Sequence, residues 1–121
     1  MSHRILIVDD EPNIVISLEY LMKKEGFEVA VATDGDAALR KAAEFEPHLI
    51  LLDVMMPKKS GFEVCQALRT DPVQSAVKII MLTAKGRETE VTKGLALGAD
   101  AYVTKPFSTK DLVQRIKSLL A

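Results

Sequence analysis

Five short apolar runs, each followed by a segment of helical period, are the feature that most limits the folds open to this chain. The runs lie at 4–8, 28–32, 49–53, 78–83 and 101–104. In the segments between them apolar residues recur three and four positions apart, as at Ile14, Leu18 and Leu21, which is typical of an amphipathic helix. Strict alternation of strand and helix predicts a parallel sheet that is covered by helices on both faces.

Residues with special backbone preferences fall where these predicted helices begin and end. Pro12 suits the first turn of a helix, where its missing N–H is not needed. Gly26 stands where the first helix would end. Ser108 precedes the last helix, with Asp111 three residues later, which is an acidic variant of the capping box. Pro57 and Gly61 fit a turn that leads into the third helix.

The order of the strands follows in part from their composition. The runs at 4–8, 49–53 and 78–83 contain the segments "ILIV", "LILL" and "IIML", which are apolar on both sides, so we expect these runs in the centre of the sheet. The run at 28–32 has polar flanks and the run at 101–104 is short, so both suit the edges. This agrees with a flavodoxin-like α/β fold, a (βα)5 three-layer sandwich whose five-stranded parallel sheet has the order 2-1-3-4-5.

Bulk properties exclude several classes of protein. The 121 residues predict one domain, 1–121, and the formal net charge of -1 gives no electrostatic attraction to nucleic acid or to an anionic membrane. No apolar run approaches the ~20 residues of a membrane span, and the N-terminus lacks the apolar stretch of a signal peptide. We therefore predict a cytoplasmic protein. The single cysteine, Cys65, is predicted to be a buried apolar residue rather than a reactive thiol.

Chemically useful side chains stand at the carboxyl ends of the predicted strands. They are Asp9, Asp10 and Glu11 after the first strand, Asp53 at the end of the third, Thr83 at the end of the fourth and Lys105 after the fifth. Any one of these acids is readily explained as a helix cap. Helix capping does not explain why all of these side chains fall on one edge. In an open parallel sheet that edge forms the functional crevice.

Three carboxylates gathered at this edge need positive charge. At ~4 Å a like-charge pair costs roughly 1 kcal/mol in water and about 4 kcal/mol at a partly buried site. Lys105 supplies one charge for Asp9, Asp10 and Asp53, so a divalent cation is expected, and Mg2+ is favoured because it keeps waters and accepts phosphate oxygens. A carboxylate such as Asp53 can act as a nucleophile towards phosphorus. The cluster therefore predicts phosphoryl transfer to Asp53.

The motifs "ILIVDDE", "LILLDVMMPKKSG", "IIMLTA" and "GADAYVTKPF", with the closing amphipathic helix, match a known family. Along nearly its whole length the chain resembles a CheY-like response-regulator receiver domain of bacterial two-component signalling. The resemblance implies that Asp53 is phosphorylated by a sensor histidine kinase or a phosphotransfer protein. It also implies a signalling domain that promotes only its own phosphorylation and dephosphorylation, rather than an enzyme.

The same resemblance implies a role for each residue of the pocket. Asp10, Asp53 and the backbone carbonyl of Met55 would ligate Mg2+, and Asp9 would act through water.

Other positions are assigned by resemblance as parts of a switch. Thr83 and Lys105 would contact the phosphoryl oxygens, Ala84 would leave room for the donor, and the bond from Lys105 to Pro106 would be cis. On phosphorylation Thr83 would move towards the phosphoryl group and Tyr102 would turn inward. The face formed by the fourth helix, fifth strand and fifth helix would then change shape and be read by partners.

The C-terminal segment is most similar to receivers that precede winged-helix DNA-binding domains, of the OmpR/PhoB-like type. Such receivers form homodimers through charge pairs on that face. Ala101 occupies a position where they usually carry an acid, so the standard dimer is in question, while Asp100, Asp111 and Arg115 remain as candidate members of the pairs. The sequence does not decide between a stand-alone receiver and a fragment of a longer regulator.

Three other functions compete with this interpretation. A phosphatase of the haloacid-dehalogenase type needs a second acid two residues after the nucleophile, and Met55 stands there. A flavin-binding protein needs a phosphate-binding loop after the first strand, where "DDEPN" is acidic. A structural or scaffolding domain with a vestigial site stays open as an alternative, although no essential group is missing.

Overall fold

The computed structural model describes residues 3–56, 58–84 and 88–121. Five strands and five helices alternate along the chain: β1 Arg4–Val8, α1 Pro12–Lys24, β2 Glu28–Ala32, α2 Gly35–Phe45, β3 Leu49–Asp53, α3 Gly61–Thr70, β4 Lys78–Ala84, α4 Glu88–Ala96, β5 Ala101–Lys105 and α5 Thr109–Leu120. The fourth and fifth strands each extend one residue further than predicted, to Ala84 and Lys105.

The strands form one parallel sheet in the order β2-β1-β3-β4-β5. The predicted fold class and strand order are therefore confirmed. In the register of the sheet Val8 lies opposite Leu52, Asp53 opposite Leu82, and Thr83 opposite Thr104. The carboxyl ends of the central strands thus come level at one edge, and the acids that follow β1 and end β3 are brought together by backbone pairing.

Alternate residues of each central strand enter two different cores. In β1, Leu6 and Val8 pack with residues of α2 and α3, while Ile5 and Ile7 pack with residues of α1 and α5. Burying one such side chain completely stabilises the fold by about 1.5–3 kcal/mol before the entropy cost of ordering is subtracted. Burial on both faces explains why the middle of each central strand, such as Ile50–Leu52, has no polar residue. Cys65 is buried in the first core, as predicted, and this burial raises the pKa of its thiol.

Helix ends are capped by local hydrogen bonds. Asp34 accepts from the Ala37 N–H at 2.8 Å, and this bond lowers the pKa of the Asp34 carboxyl. Ser60 forms a capping box with Glu63, and Ser108 accepts from the Asp111 N–H, one half of the predicted box. Gly26 follows α1 with a φ of 89°, as its predicted position requires. Pro57 lies outside the described residues, so the predicted turn is described only on its Gly61 side.

Arg69 at the end of α3 fixes the connection between α4 and β5, a role the sequence did not reveal. Its guanidinium donates to the Gly98 carbonyl at 2.8 Å and to Asp100 Oδ2 at 2.9 Å. Asp100 Oδ2 also accepts from the Ile79 N–H at 2.8 Å. Asp100 therefore fixes the start of β5 through bonds within the chain. To form a charge pair with another molecule, it would have to share or break its bonds to Arg69 and Ile79.

In the described part of the chain, no helix combines the length and the apolar character that a membrane span requires.

Candidate metal centre at the carboxyl ends of the strands

The sheet gathers the predicted site residues at one edge. Asp53 is the last residue of β3, Asp9 directly follows β1, and Thr83 lies near the end of β4. These three side chains are buried: Asp9 is 0 % exposed, Asp53 6 % and Thr83 3 %. Carboxylates and hydroxyls are rarely buried to this degree, and their burial requires polar partners or a ligand.

Three carboxylates form the centre of the cluster. Asp9, Asp10 and Asp53 each offer one oxygen, and these oxygens lie within 4.8 Å of one another. Asp10 is exposed at the mouth of the pocket, so water can reach the space between the oxygens. Hard carboxylate oxygens combined with access to water are what Mg2+ prefers. The donor set therefore fits a hydrated magnesium ion.

Lys105 is the cation of the pocket. Its Nζ lies 2.9 Å from Asp9 Oδ2, 3.3 Å from Glu11 Oε1 and 3.4 Å from Asp53 Oδ1. Burial by itself lowers the pKa of Lys105, but the contacts with Asp9, Asp53 and Glu11 outweigh burial and raise it. The ammonium group is therefore charged throughout the physiological range. The sequence predicts Glu11 only as an acid at this edge. Its contact with Lys105 joins residues 94 positions apart, so only the fold reveals it.

One ammonium group does not neutralise the pocket. Burial, followed by repulsion from Asp9, raises the pKa of Asp53 from 3.8 to about 6, although Lys105 acts in the opposite direction. Burial and repulsion thus disfavour the ionised form of Asp53 relative to that of an exposed aspartate. The shortfall of positive charge that the sequence predicts is present, and a bound cation would relieve it.

This electrostatic cost gives a stability prediction for Asp53→Asn. A carboxyl whose pKa is raised on folding lowers the free energy of unfolding as the pH rises from 3.8 to about 6. Without metal, the Asn variant should match the wild type at about pH 4 and exceed it by at most about 3 kcal/mol at about pH 7. Urea titrations in EDTA measure the difference, and wild-type stability that is equal to or above that of the variant at both pH values would contradict it. Added Mg2+ should stabilise the wild type more than the variant.

Thr83, which directly follows the β4 partner of Asp53 in the sheet, has a hydroxyl that is unpaired within the described part of the chain. Its Oγ1 is buried and has no hydrogen-bond partner among the described residues. A buried polar atom without a partner is rare and calls for a missing ligand or water. The neighbouring residue, Ala84, is exposed, so the approach to Thr83 is not blocked by its small side chain.

The remaining predicted residues surround this pocket. The Met55 side chain is 57 % exposed, just beyond Asp53, and the peptide bond between Lys105 and Pro106 is cis. Tyr102 is 40 % exposed and lies on β5, where it helps to line a surface cleft of about 760 Å³ between β5 and α5. Tyr102 is thus exposed rather than buried in this structure.

Sequence comparison places the chain among signalling proteins. The family profile of the response regulator receiver domain matches residues 5–117. The chain is 48% identical over 120 residues to the alkaline phosphatase synthesis transcriptional regulatory protein PhoP of Bacillus subtilis, covering 99% of this chain and 49% of that protein. It is 47% identical to the DNA-binding response regulator MtrA of Mycolicibacterium smegmatis, covering 99% and 51%. The chain thus spans about half the length of these curated relatives.

Solved structures agree with the sequence comparison. A putative response regulator from Chloroflexus aurantiacus superimposes with a TM-score of 0.95 at 34% identity, over 99% of this chain and 98% of that one. The chemotaxis response regulator CheY4 of Vibrio cholerae gives 0.92 at 31% identity, over 98% and 99%. The resemblance predicted from the motifs, including the likeness to winged-helix regulators, is therefore confirmed. The chain belongs to the response regulator receiver domain family, the signalling domain of two-component systems.

Proposed function

We propose that residues 1–121 form one receiver domain whose Asp53 accepts a phosphoryl group from a histidine kinase or a phosphotransfer protein. One observation carries this proposal: the buried Asp53 carboxylate lies between Asp9, Asp10 and the Lys105 ammonium group. An oxygen of Asp53 attacks phosphorus, the bond from phosphorus to the donor histidine nitrogen breaks, and its electron pair stays on the imidazole. The product is an acyl phosphate on Asp53.

The acidic cluster is proposed to hold Mg2+. Asp10, Asp53 and the Met55 backbone carbonyl would be its protein ligands, and Asp9 would act through a water molecule. When bound, the ion supplies positive charge to the phosphoryl oxygens during transfer. The grouping of three carboxylate oxygens and the raised pKa of Asp53 support this assignment.

Lys105 and Thr83 are proposed to bind the phosphoryl oxygens. The Lys105 ammonium lies 3.4 Å from Asp53 Oδ1, so it is close enough to pair with a negatively charged phosphoryl group on that side chain. The Thr83 hydroxyl, which has no partner among the described residues, gains one when it donates to a phosphoryl oxygen. Ala84 leaves the approach open to the donor.

We propose that this movement of Thr83 is passed to Tyr102, which turns inward from its exposed position on β5. The α4–β5–α5 face then presents a different surface to partners, and a second copy of the chain is one proposed partner. Since relatives of twice this length include a protein named as a DNA-binding regulator, an effector domain would act on DNA while this chain does not contact it. We place the reaction in the cytoplasm, because the ultimate phosphoryl donor of a histidine kinase is ATP.

Incubation with a small phosphodonor such as acetyl phosphate, with and without Mg2+, tests the proposal. We expect one phosphoryl group per chain by intact mass spectrometry, on Asp53, labile to hydroxylamine and dependent on Mg2+. Turnover of many donor molecules per chain would instead indicate a phosphatase. A chain that is neither labelled nor active as a phosphatase would contradict the proposal and favour a scaffold.

Lys105→Ala is expected to slow labelling without moving it from Asp53. A hydrogen bond to a charged group contributes about 1.5–3 kcal/mol, which corresponds to roughly a ten- to hundredfold lower rate. The rate of acyl phosphate formation, followed by mass spectrometry, measures the effect. Lys110→Ala, which removes an exposed lysine from the first turn of α5, is the matched control. Equal rates for wild type and Lys105→Ala would show that the ammonium group has no role in transfer.

A further inference from the structure

The loop from β3 to α3 carries the Met55 carbonyl, and it is held at both of its ends. At the entry to α3, the Gly61 N–H donates to the Val54 carbonyl at 2.9 Å, and Ser60 caps the helix. Between these ends Lys58 adopts a left-handed conformation with a φ of 67°. A lysine in this conformation indicates that surrounding contacts hold the loop in place.

The middle of the loop packs on the first residue of α2. A Cβ atom placed on the buried Gly35 would lie 2.3 Å from Lys59 Cβ, 2.5 Å from the Lys59 carbonyl oxygen and 2.9 Å from Lys59 Cα. The backbone of Lys59 therefore contacts Gly35 so closely that a side chain at position 35 would clash with it.

Charge pairs flank this contact but contribute little to it. Lys58 Nζ lies 3.7 Å from Asp34 Oδ2, and Lys59 Nζ lies 3.9 Å from Asp36 Oδ1. Both lysine side chains are exposed to solvent, at 61 % and 41 %, and such pairs typically contribute about 0–1 kcal/mol. The loop is therefore fixed on this side by close packing against a glycine.

We infer that Gly35 is a positioning residue that sets the place of the Met55 carbonyl by supporting Lys59. The inference rests on the proposed function, which assigns this carbonyl to Mg2+. Since carbon atoms in contact stay about 3.5–4.0 Å apart, a methyl group at Gly35 pushes Lys59 away by roughly 1 Å. Mg2+ demands near-ideal octahedral geometry at about 2.0–2.1 Å and tolerates such a shift of a ligand poorly.

Titration of the unphosphorylated chain with MgCl2, followed by calorimetry, tests the inference. Gly35→Ala should weaken Mg2+ binding about tenfold in a chain that stays folded by circular dichroism. The matched control is Ala38→Gly, which removes a core methyl group one turn further along α2 and adds no atom beside Lys59. Its Mg2+ affinity should equal that of the wild type, although its stability is lower by about 1 kcal/mol or more. Equal weakening in both variants would overturn the inference, since it would trace to general destabilisation.

A second pair of variants covers the case in which Gly35→Ala fails to fold. Lys59→Gly removes the Cβ that rests on Gly35 and frees the loop backbone, whereas Lys59→Ala removes only the ammonium group and the chain beyond Cβ. We expect several-fold weaker Mg2+ binding for Lys59→Gly and wild-type binding for Lys59→Ala. Wild-type affinity in Lys59→Gly, and in Gly35→Ala if it folds, would overturn the inference.

Failure of the proposed function gives a different result. If the wild type itself does not bind Mg2+, the metal assignment is wrong, and hydrogen exchange of the Gly61 amide then decides the positioning role. Faster exchange in Gly35→Ala than in Ala38→Gly would support a loop held by Gly35. Exchange that is no faster in Gly35→Ala than in the control would overturn that role.

Discussion

Asp53→Asn is expected to abolish formation of the acyl phosphate. The amide nitrogen and oxygen of asparagine keep the shape of the side chain but remove the anionic nucleophile that attacks phosphorus. Asp9 is poorly placed to replace it, because Asp9 is fully buried and its Oδ1 accepts from the Glu11 N–H at 2.9 Å. Intact mass spectrometry after incubation with acetyl phosphate and Mg2+ should show no added phosphoryl group above the limit of detection.

Asp71→Asn is the matched control for this loss. Asp71 follows α3 outside the pocket, and its side chain accepts from the Val73 N–H, a bond that asparagine can also accept. Labelling of this variant should proceed at the wild-type rate. Labelling of Asp53→Asn at the wild-type rate would place the nucleophile elsewhere, most simply on Asp10, whose exposed carboxylate lies in the same cluster. Peptide mapping of the labelled chain would then identify it.

Gly61→Ala is expected to lower the free energy of unfolding by about 3 kcal/mol, which is at the upper end for overpacking. A Cβ at this position would lie 2.3 Å from the Asp53 carbonyl oxygen and 3.0 Å from Val54 Cα, and both atoms belong to the backbone of the sheet edge. Unlike a flexible side chain, these atoms cannot turn away. The melting temperature should fall by roughly 10 °C, as measured by differential scanning calorimetry.

Gly94→Ala separates this steric effect from the ordinary preference of helices for alanine. Gly94 lies inside α4, and a Cβ there would lie 3.4 Å from Met81 Cγ, the nearest atom, which belongs to a flexible side chain. This variant should be neutral or more stable by up to about 1 kcal/mol, since alanine is the better helix former. A stable Gly61→Ala would show that the start of α3 can move away from Asp53 without loss, and the close packing at that point would have no energetic role.

The fold could be predicted because each signal was local and repeated. Strands buried on both faces, such as Leu49–Asp53, are apolar up to their last residue, and helices that cover the sheet show one apolar stripe. Backbone pairing then brings strand ends to one edge, so the neighbourhood of Asp9, Asp53 and Thr83 followed from the strand boundaries alone. The predicted ends of β4 and β5 were one residue short because the apolar runs already break at Thr83 and Thr104, although the backbones of Ala84 and Lys105 continue the ladder.

Residue types at the strand ends, together with the periodicity of the chain, predicted the fold and the excess of acidic over basic side chains in the pocket. Which atoms meet there depends on how the elements pack: Lys105 is shared by Asp9, Glu11 and Asp53, Arg69 pairs with Asp100, and a Cβ at Gly35 or Gly61 would clash with the backbone of Lys59 or Asp53. These contacts join residues from different strands, helices and loops at distances set to within an ångström. A linear pattern fixes which side of an element a residue occupies, whereas such distances depend on how all the elements pack together.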